Sequence, residues 1–264
     1  MNVQVYFRHD QNTRGEYEIC KKYFDTVDCR TKLKNDNGIV ICRYSALPFN
    51  RELENDLNNL GCRPINSNIE HSYIADMGWV YDLESMTFPT WERLQDVPSD
   101  FPLVVKGKTN SRKFEWDTKM FAPNKAKAAE IMHELWHDPL IGTQGLVFRK
   151  YIPLKTYEIG INGMPMTNEW RCFFYKDKLI DYGFYWSILE DMSLVETETF
   201  EKEGLSLAKE AAKIIGEFTN YFVIDIAQGV DGRWWVVEVN DGQMSGLSTI
   251  PEDRFYMNLA EVLK

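Results

Sequence analysis

The chain has 264 residues, 44% hydrophobic and 14% aromatic, enough to bury a sizeable core in one large domain or two small ones. Its 40 acidic and 30 basic residues give a net charge of −10, which disfavours a nucleic-acid partner, and no apolar run approaches the roughly 20 residues of a membrane helix. Five cysteines (Cys20, Cys29, Cys42, Cys62 and Cys172) show neither metal spacing nor a disulfide framework and read as reduced thiols of a cytoplasmic protein.

The first residues read as a strand over 3–7 and not as a signal peptide. A helix is predicted over 16–24, a buried strand over 38–44 and a helix over 50–60 stopped at Gly61, with a further strand starting at Arg63. This β-α-β-α-β order predicts a small parallel sheet with helices packed on it. Prolines at 89, 98 and 102 punctuate the next stretch and place a domain boundary near 98–102. Beyond it come a strand over 103–108, a polar loop, and a helix over 125–136 with Ala128, Met132, Leu135 and Trp136 on its apolar side. A strand over 145–152 follows. The pattern then changes to hairpins: 169–175 with 179–186 across a Lys176-Asp177-Lys178 turn, a helix over 206–219, and a last pair, 221–227 with 234–240.

The last hairpin carries the clearest chemical signal. Glu238 and Asn240 are two apart on a strand and share a face, while Val237 and Val239 point the other way into a core. If the hairpin is symmetric about Val230-Asp231, Asp225 lies opposite Val236 on that same face. Three oxygen-bearing side chains would then converge between very apolar flanks, an arrangement that is costly unless a cation compensates it. Mg²⁺, which takes one or two carboxylates plus substrate phosphates, suits the set. A solvated outer face is the plainer alternative.

Phosphates also need cations. Lys106 and Lys108 share a face at the end of an apolar strand, and the loop through Thr109, Ser111, Arg112 and Lys113 supplies hydroxyls, cations and backbone N–H groups. The loop contains Gly-Lys-Thr without the upstream glycine of a Walker A loop, so a P-loop NTPase is rejected. Arg171 shares a face with Glu169 and suits bidentate phosphate contact, although a surface Glu169–Arg171 ion pair explains it equally simply.

In this order the chain resembles the ATP-grasp superfamily, in a phage and bacterial branch near the RimK-like ligases. The segments FPLVVKGK (101–108), VFRKYIPL (147–154), NEWRCFFYKDKLIDYG (168–183), VIDIA (223–227) and GRWWVVEVNDG (232–242) carry the likeness, which covers residues 99–264. The resemblance implies an α/β (α+β) ATP-grasp fold: a pre-ATP-grasp α/β domain at 1–98, a smaller lid subdomain at 99–153 and a larger metal-binding subdomain at 154–264, with ATP between the last two. It implies that Lys106 binds α/β-phosphate oxygens, that Lys108, Ser111 and Lys113 cover the phosphates, and that Arg149, Lys150, Tyr151 and Ile152 form a hinge holding adenine through backbone groups. Arg171 would face the γ-phosphate, and Asp225, Glu238 and Asn240 would hold Mg²⁺ or Mn²⁺. The hinge lacks the acidic residue many members carry, which leaves Glu158 as the candidate ribose partner.

The implied reaction joins a small-molecule or peptide carboxylate to an amine through an acyl phosphate, with Lys106 and Arg171 stabilising the transferred phosphoryl group. A kinase outcome and a non-catalytic nucleotide-binding module are the alternatives within the fold. Arg43 and Ser45, at a strand's C-terminal end, are candidates to face the acceptor substrate. A rival motif, His133-Glu134-Leu135-Trp136-His137, matches the zinc-protease helix, with Glu158 a conceivable third ligand. Its short pattern and its position on a polar helix face favour chance.

Overall fold

The computed structural model describes residues 2–8 and 14–264. The N-terminal sheet comprises β1 (Val3–Tyr6), β2 (Asp25–Val27), β3 (Ile39–Cys42) and β4 (Arg63–Pro64), in the order β2-β1-β3-β4 and parallel throughout. Its central strands β1 and β3 are buried on both faces, the mark of a parallel sheet covered by helices. Helix α2 (Asn50–Asn59) falls where the sequence places it, and α1 (Arg14–Cys20) starts two residues before the expected 16–24 and ends four short of it. Gly61 ends α2 with φ +70, a left-handed conformation that favours glycine. Strand β2 and the helices α3 (Asn68–Ala75) and α4 (Trp79–Asp82) were not anticipated. For α3 the signal was present: Ser67 and Glu70 form a capping box.

A second sheet, of order β5-β8-β6-β7, is antiparallel and contains β5 (Thr90–Trp91), β6 (Leu103–Gly107), β7 (Phe121–Ala122) and β8 (Leu146–Lys150). Strand β5 lies before the boundary expected at 98–102. Helix α5 (Trp116–Lys119) precedes β7, and α6 (Lys125–Trp136) covers the sheet with Ala128, Ile131 and Leu135. The apolar stripe of α6 is thus rotated from the expected one: Ile131 is in the core, whereas Trp136 is 63% exposed.

The third unit opens with a two-stranded ribbon, β9 (Thr156–Ile159) and β10 (Pro165–Thr167). Its antiparallel sheet has the order β12-β11-β13-β14, from β11 (Glu169–Tyr175), β12 (Lys178–Phe184), β13 (Tyr221–Gln228) and β14 (Trp234–Asp241). Between β12 and β13 run the short α7 (Thr197–Thr199) and α8 (Leu205–Ile215), and α9 (Glu252–Val262) closes the chain. The two faces of this sheet do different work. Trp170, Cys172, Phe174, Phe222, Ile224 and Ile226 pack with Ala208, Ala211 and Ala212 of α8. On the opposite face Phe173, Tyr221 and Val223 pack with Val5 and Ile41 of the N-terminal sheet and Phe255 of α9. That second face continues along the same strands into Glu169, Arg171 and Asp225, so its apolar half is core and its charged half is free to form a site.

Candidate active site

Asp225 stands directly opposite Glu238, not Val236. The β13–β14 register shifts between Asp225 and Ile226, so Ile226 pairs with Val236 and one extra residue, Val237, bulges from β14. The bulge corrects two expectations. It brings the carboxylates face to face, and it turns Val237 towards the cleft instead of the core, where Val239 remains. Asn240 lies opposite Val223, next along the same face.

Each carboxylate is held by a cation. Arg171 pairs with Asp225 across β11 and β13, donating from Nε to Oδ1 at 2.8 Å and from Nη2 to Oδ2 at 2.7 Å, and its Nη1 donates to the Gly246 carbonyl at 2.9 Å. Arg171 is therefore not the partner of Glu169 that the surface reading offered. Lys106, on β6 of the second sheet, donates to Glu238 Oε1. Burial works against a charge on Glu238, but Lys106 and a hydrogen bond from Asn240 overcome it and lower its pKa to about 2.

Two clefts meet at this cluster. The first lies between the second sheet and the third. Lys106, Ser111, Lys113, the 149–152 segment, Thr156, Thr167, Glu169 and Glu238 supply its polar edge, and Phe88, Trp116, Met120, Met164 and Trp186 its apolar walls. The second lies between Ser45, His71 and Ile74, from the loop after β3 and from α3, on one side and Lys108, Asn110, Arg171, Asn240 and Ser245 on the other. Ser111, Lys113, Tyr185 and Glu238 border both clefts. Lys113 donates to Tyr185 Oη at 2.8 Å, and burial pushes its ammonium pKa down. Tyr185 also receives the Arg171 guanidinium over its ring at 4.7 Å. Glu169, only 7% exposed, accepts from Thr167 Oγ1 at 3.1 Å, and burial, with Asp225 nearby, raises its carboxyl to about 8.

The remaining candidates divide. Lys150, Tyr151 and Ile152 line the first cleft, and Ser45 and Lys108 the second; Lys108 also meets Glu92 at 3.2 Å. Arg149 is buried beneath the first cleft. It donates to the Val237 carbonyl in the bulge, to Thr87 Oγ1 at 2.9 Å and to Thr90 Oγ1 at 3.2 Å, and burial lowers its pKa to about 10. Its side chain therefore clamps the second sheet to β14 at the wall of the first cleft. Asp225 is fully buried behind Arg171 and lines neither cleft. Glu158 also lines neither; its Oε2 accepts from the Glu190 N–H at 3.3 Å on the surface. Arg43 is structural. Its guanidinium donates to the carbonyls of Gly242 (3.0 Å), Gln243 (3.2 Å) and Ser245 (2.9 Å), and to Glu16 at 2.7 Å. His133 and His137 stack edge to face at 5.0 Å on the exposed side of α6. No group of three His, Cys, Asp or Glu side chains placed to hold a metal occurs among the described residues, so the zinc motif has no third ligand there.

Sequence reasoning missed Trp116, Tyr185, Trp186 and His71, because nothing in the local pattern marks a residue that reaches a cleft by long-range folding. Glu238, held ionised, and Asn240 beside it are oxygen donors that fit a hard divalent cation, whereas Asp225, directly across the ladder, could join them only by turning an oxygen away from Arg171.

Residues 93–259 match the model of an ATP-grasp domain family, the third family of its clade. No curated protein matches the chain. Among solved structures, a RimK domain ATP-grasp protein from Sphaerobacter thermophilus superposes with a TM-score of 0.63 at 14% identity, covering 99% of this chain and 98% of that one. The D-cycloserine synthetase DcsG superposes with a TM-score of 0.58 at 15% identity over 100% of both chains. The ATP-grasp ligase PsnB, complexed with a minimal precursor, Mg and ADP, gives 0.55 at 12% identity, covering 99% and 98%. At these identities the likeness is one of fold.

Proposed function

The chain belongs to this ATP-grasp domain family, and from that premise we propose that it is an ATP- and Mg²⁺-dependent ligase joining a carboxylate to an amine through an acyl phosphate. The observation that carries this reading is the wall shared by the two clefts. Lys113, Ser111, Tyr185 and Glu238 border both, so a phosphoryl group leaving a nucleotide in the first would emerge facing a substrate in the second.

In this reading the backbone at 149–152 holds adenine against the apolar walls, and Arg149 serves through its main chain because its side chain is committed below. Lys106 binds α/β-phosphate oxygens once it leaves Glu238. Lys108, Ser111 and Lys113 cover the phosphates. Arg171, kept in place by Asp225 and the Gly246 carbonyl, would face the γ-phosphate from the wall of the second cleft. Asp225, Glu238 and Asn240 would hold Mg²⁺, with Mn²⁺ as a substitute, and that ion when bound would neutralise phosphate charge. With Glu158 outside the cleft, the ribose partner falls to Glu169, Thr156 or Thr167.

The second cleft receives the acceptor side of the reaction, a small-molecule or peptide carboxylate and its amine, with Ser45 at its edge and Lys108 and Arg171 supplying positive charge. D-cycloserine synthetase DcsG, by its name, makes a small molecule, and PsnB was captured with a precursor, so both scales of substrate occur on this fold. The division into 1–98, 99–153 and 154–264 is part of the proposal, with β5 as an N-terminal contribution to the lid sheet. So are a cytoplasmic setting and the absence of nucleic-acid and membrane partners; no helix among the described residues is long and apolar enough to cross a membrane.

Calorimetry of ATP binding with and without Mg²⁺, on wild type and Glu238→Gln, tests the reading. Mg²⁺-dependent binding that weakens in the variant is expected. Absence of nucleotide binding under every condition would sink it.

A further inference from the structure

His71 lies in the N-terminal domain, on α3, whose start is fixed by the Ser67–Glu70 capping box. Its imidazole is only 7% exposed and borders the second cleft alongside Asn240 and Ser245. Nδ1 lies 3.0 Å from Asp241 Oδ2. The other oxygen of Asp241 accepts from Asn66 Nδ2 at 3.1 Å and from the Gln243 backbone N–H at 3.0 Å. Asp241 is thus an acceptor surrounded by donors, and it fixes the Nδ1–H form of the ring. That leaves Nε2 as the free lone pair, and Nε2 is buried without a partner. An orphaned buried nitrogen of this kind is destabilising unless something that enters the site satisfies it. Besides the second cleft, His71 borders a crevice of about 10 Å³, at most one water in size, lined also by Asn66 and Gln243, which both bond Asp241.

We propose that His71 is the general base that takes the proton from the attacking amine in the second cleft, with Asp241 as its positioning residue. The proposal rests on the ligase reading above. The amine nitrogen attacks the acyl carbonyl carbon and forms the C–N bond. The nitrogen's surplus proton passes to Nε2. The C–O bond to phosphate then breaks, phosphate leaves with the electron pair, and the proton returns from Nε2 to that phosphate. No further reactant is needed. Both residues of the dyad lie outside the nucleotide cleft, so the N-terminal domain would supply the group that acts on the acceptor.

Two measurements test this. The first is ¹⁵N imidazole NMR of a variant in which the other three of the four histidines (His9, His133 and His137) are replaced by Gln, leaving His71 as the sole signal. The Nδ1–H tautomer is expected, and Asp241→Asn should weaken that preference. A ring protonated on Nε2 alone overturns the proposal whatever the enzyme turns over. The second is product formation with Mg²⁺, ATP and a mixture of L- and D-amino acids, with and without hydroxylamine, which traps an acyl phosphate without assistance from a base. In His71→Gln, hydroxamate formation should stay within about twofold of wild type while amide formation falls at least about 100-fold. Amide formation within threefold of wild type removes the base role and leaves the ligase reading intact. Loss of both products in a folded variant shows that His71 holds the site together and does not act as the base. Absence of both products from a wild type that binds ATP with Mg²⁺ removes the base role on amino-acid acceptors and leaves the ligase reading standing; absence of nucleotide binding as well removes both.

Discussion

Asp225 and Glu238 face one another across the β13–β14 ladder, and each is held by a cation from a different element: Arg171 of the neighbouring strand for the first, Lys106 of the second sheet for the second. Two ion pairs therefore meet here with their acids facing one another and their cations outermost. Removing one charge leaves its partner buried and unpaired, which shapes every expectation below.

Lys106→Ala should weaken ATP binding at least tenfold, about 1.4 kcal/mol, as read by calorimetry. Glu158→Gln, on the surface away from both clefts, should leave affinity within about twofold. Equal affinities for wild type and the lysine variant would remove Lys106 from the phosphate site.

Glu238→Gln and Asp225→Asn should each abolish the stimulation of nucleotide binding by Mg²⁺. Because Asp225 also holds Arg171, its variant should in addition lose thermal stability, whereas Glu238 is partly open to the cleft and its loss should be milder. Full Mg²⁺ stimulation in both variants would contradict the assignment of the donors.

Glu169→Gln should change the pH dependence of stability. Burial raises the folded-state pKa of this carboxyl from its ordinary 4.5 to about 8, so the folded chain binds the proton more tightly than the unfolded chain. The penalty is absent below the unfolded value and grows as pH rises towards 8. The glutamine variant should match the wild-type Tm near pH 4.5 and exceed it by several degrees near pH 8.5, at about 2–4 °C per kcal/mol for a domain of this class. A Tm difference independent of pH would mean that Glu169 keeps its charge throughout.

Arg149→Met should destabilise the protein. The loss of its bonds to Thr87, Thr90 and the Val237 carbonyl is worth about 3 kcal/mol, or a Tm fall of about 6–12 °C. Lys150→Met, at the exposed next position, should shift Tm by less than about 2 °C. If the two variants melt alike, the clamp has been misread.

Much of the site was legible because alternation along a strand is local: Glu238 and Asn240 share their face as expected, and Lys106 emerges where its apolar strand ends. What was not legible depends on distance in the chain. The bulge at Val237 needs no glycine and leaves no signature, yet it decides which residue Asp225 meets. Arg43 looks like a substrate-facing cation in sequence, since nothing local reveals that backbone carbonyls of residues 242–245, from the far end of the chain, accept from it. Glu158 drew notice only as an acid downstream of the hinge, while Glu169, read as the partner of a surface ion pair, sits inside the first cleft. The parallel N-terminal sheet was readable from its apolar runs, whereas the short, polar β2 carries too little pattern to stand out.

The contact between Lys106 and Glu238 links strands 132 positions apart and ties the two walls of the nucleotide cleft together. If Lys106 meets a phosphate as proposed, it releases the carboxylate first, and nucleotide entry would be a swap of anions on one cation. A swap has a kinetic signature: at high ATP concentration the observed binding rate should level off at the rate of release instead of rising without limit. Replacing Glu238 by Gln removes the competing anion, and the plateau should then rise even as the final complex becomes weaker.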